Sequence, residues 1–571
     1  MPDSPRTSDS FTFKTDRPWP NPVLKVAAVL GHATPSSARL WLRTRRTGDF
    51  TLLLSQGETV GAADRAALRE ELGRAPLSLE DLEALLTPLT RLDFSIENLD
   101  SDTTTVLELG DLTADTRYAY VLYDRGRERV ILGHNRLRGF RTPPAYEERR
   151  AFQFALISCH MPYKQSGLFR KRTEVHNIEM WDYLGSSLQR QRDTVDLVIA
   201  GGDQCYTDGV PTLDIWRYLN RRMRKESDEV LPDEASMLSW YRDIYRGYWG
   251  FPGLQEVFES FPTYMVWDDH EIGDGWGSHY LGEDGDGDGV RKLLPSLEDK
   301  GLTHAEGREL VERMFRMAKR AYQEYEHSHN PPTEEGVLDY SMLRGGCAFY
   351  VLDGRGQRDV GRESYRILGR EQFDRFSAWA EGLDPEETVF LFVVSAVPVV
   401  HTCAGLVNAD DRWVIDQAGL ADDLRDSWEH ELHDEERGAL METLFAAAAT
   451  GIRVCILSGD VHVSAVFSLE NAEGQRIYQL TSSAITYGLS RPVSWVLSQG
   501  AADDGETTEG HRFQRLALYA QSSYALISAD PETGECWYKL YGEQTLEPPP
   551  SLERTAQTVP LNHSVAKIRL F

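Results

Sequence analysis

The sequence predicts an α/β protein preceded by a β domain, and three observations predict it. From Arg149 on, short apolar runs alternate with amphipathic segments, the pattern of strands separated by helices. Several runs, such as Leu197-Val198-Ile199-Ala200 and Val389–Ser395, are apolar almost throughout, which suits buried strands. Before Arg149 the runs are short, β-like and separated by turn residues. At 571 residues the chain is long enough for two or more domains.

Residues 1–22 are polar and Pro-rich and read as a flexible or loosely docked lead. Val23–Leu30, Ala38–Arg43 and Phe50–Leu54 follow as strands, divided by Gly31, Pro35-Ser36-Ser37 and Thr47-Gly48-Asp49. Ala62–Leu92 is helical in pattern, with Ser78-Leu79-Glu80-Asp81 as a helix start, and is expected to be an insertion. Thr104–Leu109, Tyr118–Tyr123 and Val130–Gly133 resume the β series. Leu112–Tyr118 resembles the tyrosine-bearing corner of fibronectin type III and immunoglobulin-like sandwiches, and Gly139–Pro144 resembles the last strand and exit of such a domain. Residues 23–144 are therefore expected to be a β-sandwich domain with a packing role.

Residues 145–545 are expected to form the α/β domain, with 546–571 as a C-terminal tail. Strands are expected at Phe152–Ile157, Leu197–Ala200, Tyr264–Trp267, Cys347–Leu352, Val389–Ser395 and Arg453–Leu457. Helices are expected at Trp181–Gln191, Ala235–Trp249, Leu310–Tyr325, Arg370–Gly382 and Arg437–Ala448. Ala465–Leu469, Ile477–Leu480, Tyr524–Ser528 and Cys536–Tyr541 close the domain as a β series. The Asp284–Gly289 repeat has the alternating acids of a calcium loop. It lacks the bidentate acid at the twelfth place, where Pro295 stands, so a solvated acidic loop is favoured.

Composition excludes some function classes. A net charge of -29 argues against a broad contact with a nucleic-acid backbone. No apolar run approaches the ~18 residues of a membrane span, and the N-terminus lacks an apolar signal core, so a soluble, cytoplasmic protein is expected. The cysteines at 159, 205, 347, 403, 455 and 536 form no C-x-x-C pair and suit reduced, buried thiols.

The chemistry lies where the apolar runs stop. Five strand ends carry Cys159, Asp203 with Tyr206, Asp269 with His270, Asp353 with Arg355, and Asp460 with His462. Sites form at the carboxyl ends of strands in open α/β sheets. Thiolate, phenolate and imidazole suit a trivalent or borderline ion, and carboxylates suit a harder divalent one. Such a pair of ions sharing one acid would form a clamp for phosphate ester hydrolysis. The Arg355 guanidinium is the candidate phosphate contact, because its fork fits phosphate oxygens.

In order, Cys159, Gly202-Asp203-Gln204-x-Tyr206-x-Asp208, Trp267-Asp268-Asp269-His270-Glu271, Asp353-x-Arg355-x-x-Arg358 and Ser458-Gly459-Asp460-Val461-His462 resemble the alkaline phosphatase D (PhoD-like) family of metallophosphatases. The resemblance spans about residues 23 to 545. It implies an αββα sandwich and a binuclear or larger metal centre of an Fe(III)-like and a Ca-like ion. It implies that Cys159, Tyr206 and His462 hold the first ion, that Asp203 bridges, and that Asp269 and Asp460 face the second. His270 would stand by the leaving group. The implied activity is hydrolysis of small phosphate monoesters or diesters by a metal-bound hydroxide. The alternative is a non-catalytic metal- or phospho-ligand-binding protein, motivated by the segment after His270, Glu271–Trp276, which departs from the family's Asn-rich continuation. The sequence does not fix an oligomeric state.

Overall fold

The computed structural model describes residues 19–57, 78–86, 89–132, 138–166, 172–210, 213–225, 232–279, 281–282, 289–358, 364–401, 427–488, 501–542 and 564–571. Most of the expected lead, the first part of the expected helical insertion, nearly all of the Asp284–Gly289 repeat, Cys403 and most of the expected tail lie outside these residues.

The N-terminal strands form two small antiparallel sheets. One orders Ala27–Ala33, Ala38–Arg43 and Thr104–Leu109, and the other is built on Gly48–Gln56 and Arg117–Asp124. Leu30, Leu40, Leu42, Leu52, Tyr120 and Phe140 close one apolar core between them. The Tyr118 hydroxyl accepts a hydrogen bond from the Thr113 backbone N–H at 2.7 Å, which ties the Arg117–Asp124 strand to the turn before it. Within the expected helical insertion, the capping box of Ser78 and Asp81 does start a helix, Leu79–Leu85. The last part, however, is a strand, Leu89–Ile96, paired with Gly48–Gln56. Leu92, Phe94 and Ile96 fall on every second residue, a period that a helix cannot place on one face.

From Phe152 two larger mixed sheets carry the α/β part. The first orders Thr263–Val266, Val195–Gly201, Phe152–Ile157, Ser523–Asp530, Glu535–Gly542 and Ser564–Arg569, its first three strands parallel. Its last strand falls inside the segment expected to be a tail. The second sheet has eight strands, and Cys347–Val351, Phe390–Val394, Arg453–Ser458 and Arg476–Thr481 run parallel at its centre. The two sheets meet through aromatic rings: Phe154 lies edge-on to Phe349 at 5.4 Å and to Phe392 at 5.1 Å. Helices Arg370–Glu381 and Asp434–Ala449 cover the eight-stranded sheet through Phe376, Leu440, Met441 and Leu444. Helices Glu179–Arg190, Glu234–Tyr248, Pro252–Phe258 and His304–Tyr325 pack into the core of the six-stranded sheet. His304–Tyr325 starts six residues before the expected Leu310, at a capping box made by Thr303 and Glu306. Among the described residues no helix is long and apolar enough to cross a membrane.

A buried ionic knot joins the N-terminal strands to the helices. Asp102 accepts from Arg43 Nε at 3.1 Å, from Arg246 Nη1 at 3.1 Å and from the Tyr325 hydroxyl. Arg43 is on a strand, whereas Arg246 and Tyr325 sit on two different helices. Removing one partner of such a knot leaves uncompensated buried charge. Asp102→Ala should therefore lower stability by about 3–5 kcal/mol, read as a shifted denaturant midpoint with an unchanged slope.

The same seam holds three histidines whose pKa burial pushes down: His32 to about 4, with Arg39 adding to the effect, His327 to about 4 and His329 to about 3. The unfolded chain takes up these protons near pH 6.5 and the folded chain only near pH 3–4. Their contribution is thus complete above pH 6.5 and is lost progressively as pH falls towards 4. Replacing both His327 and His329 by Gln should flatten the fall in denaturation midpoint across that window. An unchanged slope would assign it to other groups.

Candidate metal centre

The centre forms where the ends of the parallel strands of the two sheets converge. After Phe152–Ile157 come Ser158 and Cys159, after Val195–Gly201 come Gly202 and Asp203, and after Arg453–Ser458 come Gly459 and Asp460. The approach is tight enough to exclude side chains. A Cβ on Gly459 would lie 2.4 Å from Ser158 Cβ and 2.8 Å from the Gly201 carbonyl oxygen. One on Gly202, whose φ is +102°, would lie 2.9 Å from Asp268 Cβ.

The convergence packs Asp203, Asp268, Asp269 and Asp460 so closely that one oxygen from each lies within 4.8 Å of the others. Asp203, Asp269 and His270 form a second such group, and Asp208, His270 and Asp274 a third. Burial, and then the neighbouring acids Asp268, Asp269 and Asp203, push the Asp460 carboxyl well above its usual range. Burial raises Asp203 likewise, against the pull of His270. Burial also opposes ionisation of Asp269, but His270 and Arg355 outweigh it and hold that carboxyl low.

Around this cluster each expected residue has a definite place. Tyr206 donates its hydroxyl to Asp203 Oδ2 at 3.0 Å. Its ring stacks on His270 at 4.0 Å and lies 6.4 Å from the His462 ring. Cys159 Sγ sits 3.1 Å from Ser483 Oγ and touches the Tyr206 hydroxyl. Burial first, then Asp203, pushes the Cys159 thiol well up. Burial, aided by His270, lowers His462 to about 3, so its imidazole is neutral, the form that ligation needs. Cys159 and His462 belong to none of the three Asp/His groups; they stand on the Tyr206 side of Asp203.

Arg355, expected as a phosphate contact, has carboxylate and carbonyl partners. Its guanidinium is fully buried and held by Asp268 through Nε, by the Trp276 carbonyl at 2.7 Å and by Asp269 at 3.5 Å. Asp353 likewise serves the turn: its Oδ1 accepts from the Trp267 indole at 2.7 Å and from the backbone of Arg355 and Gly356. The segment after His270 completes the support, since Gly275 N donates to Asp269 Oδ2 at 2.7 Å.

Sequence reasoning left two supporting acids without a role. Asp208 meets His270 Nδ1 with both oxygens, at 2.9 and 2.7 Å, and fixes the ring. Burial lowers the His270 pKa, but Asp208, Asp269 and Asp203 outweigh it, so the imidazole is held well above its usual value. Glu271 accepts backbone N–H groups from Asp203, Gln204, Cys205 and Asp268, and so binds the Asp203 loop to the Asp269 turn. The spacing Asp203-x4-Asp208 beside an Asp-His-Glu turn was the signal available for both.

The residues fit a cation. At an effective dielectric of about 20, two full charges 4.8 Å apart repel by roughly 3.5 kcal/mol, and this cluster holds several such pairs. The buried Asp203 Oδ1 and His462 Nδ1 make no hydrogen bond among the described residues. Carboxylate oxygens beside a neutral imidazole are the donor set of a hard or borderline metal ion.

Known proteins share this architecture. A solved structure of PhoD superposes with a TM-score of 0.59 at 15% identity, covering 90% of this chain and 86% of that one, a likeness of fold. A purple acid phosphatase, PPD1, from yellow lupin (Lupinus luteus) seeds aligns over 91% of this chain and 72% of its own at 12% identity, with a TM-score of 0.49, too weak a likeness to argue from. An uncharacterized protein of Saccharomyces cerevisiae, YGR266W, is 22% identical over 340 residues. That match covers 47% of this chain and 44% of the yeast protein. The family model of the PhoD-like phosphatases matches residues 179–532, well over half of the chain and most of the strand ends described above, and the chain belongs to that family.

Proposed function

We propose that the protein is a metal-dependent phosphoesterase that hydrolyses small phosphate monoesters, diesters or both. The observation that carries this reading is the close cluster of Asp203, Asp268, Asp269 and Asp460, three of them buried, whose mutual repulsion calls for cations. Cys159, Tyr206 and His462 would hold an Fe(III)-like ion, Asp203 would bridge, and Asp269 and Asp460 would face a Ca-like ion. Bound ions of this kind polarise phosphoryl oxygens and acidify water. His270, kept cationic and oriented by Asp208, would donate a hydrogen bond or a proton to the departing oxygen. Arg355 would act by holding Asp268 and Asp269 in place. The same reading takes the two facing sheets with their outer helices as an αββα sandwich. It takes residues 23–144 as an immunoglobulin-like domain, supported by the bond from Thr113 to Tyr118.

A chromogenic monoester and diester, assayed with chelator and then with restored iron and calcium, test the activity. Turnover should vanish with chelation and return with metal. Asp203→Asn should lower kcat by about a thousandfold or more while the far-ultraviolet spectrum is kept. Tyr206→Phe should abolish a visible charge-transfer band of the iron-loaded protein. A band that survives would show that the phenol is only packed there.

Asp208→Asn tests the orienting role. It should reduce kcat by roughly a hundredfold with bound metal, measured by elemental analysis, unchanged. His270→Asn should cost at least as much, and the double variant little more than His270→Asn alone, because Asp208 acts through that ring.

A further inference from the structure

The antiparallel strands Tyr163–Ser166 and Arg172–Val175 stand at one side of a cavity of about 340 Å³. That volume falls in the range of small-molecule sites. The cavity shares walls with the metal centre. Tyr487 lines it, and the Tyr487 ring lies parallel to His462 at 3.7 Å and 5.7 Å from Tyr206. Gly209, on the next side, directly follows the Asp208 that holds His270.

The lining has a distinct chemistry. Tyr163 has its hydroxyl engaged with Asn21 and the Gly247 carbonyl, so it offers the cavity a ring rather than a polar tip. With Tyr487 and Met161 it makes an apolar boundary suited to a flat group. Gln165 brings amide donors and an acceptor. His176, whose pKa burial and then Lys164 lower, has its imidazole hydrogen-bonded to the Tyr163 backbone and the Asn177 side chain, so it serves as a fixed wall of the cavity. Gly488 sets that imidazole, since a Cβ there would come within 3.0 Å of it. Lys164 adds a cation on the rim, favourable to a ligand that carries phosphate.

We infer that this cavity is a subsite for the organic part of the substrate and takes a flat ring with donors and acceptors along its edge, of the nucleobase kind. This inference rests on the phosphoesterase reading of the neighbouring centre. A saturated alkyl group would leave the Gln165 amide without a partner, and a plain phenyl ring would use only the apolar walls.

Calorimetric titration of the full metal-loaded chain with phosphonates, which resist hydrolysis, tests it. The phosphonate analogue of thymidine 5′-monophosphate should bind at least tenfold more tightly than phenylphosphonate and methylphosphonate. Gln165→Ala should cut that preference to below threefold. The subsite is overturned if phenylphosphonate binds as tightly as the thymidine compound, or if Gln165→Ala keeps the preference of the parent. Hydrolysis of thymidine 5′-(4-nitrophenyl) phosphate and methyl 4-nitrophenyl phosphate, which share a leaving group, separates the two readings. Turnover of neither, with the binding preference intact, would sink the phosphoesterase and leave the subsite standing.

Discussion

Repulsion among carboxylates in one buried space is the constraint on which this structure depends. Asp203, Asp268, Asp269 and Asp460 come from three chain segments far apart in sequence; the first three are buried and Asp460 is half-buried. Arg355 and His270 are the cationic groups set against them, and neither reaches all four. Much of the surrounding architecture resists the tendency of these acids to separate. Glu271 ties two of the loops through backbone N–H groups, and the turn around Asp353 fixes Arg355 from behind. Supports of this density are what a preorganised metal site needs, because ligands that relaxed apart would lose the ion.

The backbone carries part of the cost. Cys159, Asp203, Asp460 and His462 have φ values of 55°, 61°, 62° and 55°, in the left-handed region that non-glycine residues seldom adopt. Each such residue costs on the order of 1–3 kcal/mol, and they persist only where the surroundings over-determine them. Here the surroundings are the central strands of two sheets whose facing rings lock against each other, together with glycines at 202 and 459 that permit the close approach. The sharp left-handed turns aim side chains out of the strand ends and towards one point. The strain, the glycines and the carboxylate cluster are therefore one feature seen at three scales.

How much of this was legible in the sequence follows from the range of the interactions involved. Apolar runs that stop at ligand-type residues are local, so the strands before Ser158, Gly202, Trp267, Asp353 and Gly459 could be read directly. Period-two patterning was equally local at Leu92, Phe94 and Ile96, but the helix start at Ser78 drew the reading past it. Arg355 shows a different limit. A guanidinium fork fits a phosphate and a carboxylate pair equally well, and its carboxylate partners Asp268 and Asp269 are 87 and 86 residues away. Asp208 and Glu271 were hidden in the same way: each lies in a recognisable motif, yet its task is to hold a neighbour brought up by the fold.

That difference also separates chemistry from selectivity. The groups expected to hold ions project from buried strand ends, where substitution would disturb both sheets at once. The groups that line the adjoining cavity sit on the edge ribbon of Tyr163–Ser166 and on the turn at Tyr487-Gly488, outside the two large sheets. Tyr487 joins the two regions, with one face on His462 and its place in the cavity wall. Substitutions along that ribbon can alter what enters while the carboxylate cluster stays as built, because among the described residues no hydrogen bond ties the Lys164 or Gln165 side chain to it. A scaffold arranged in this way can keep one reaction and vary the compound it acts on.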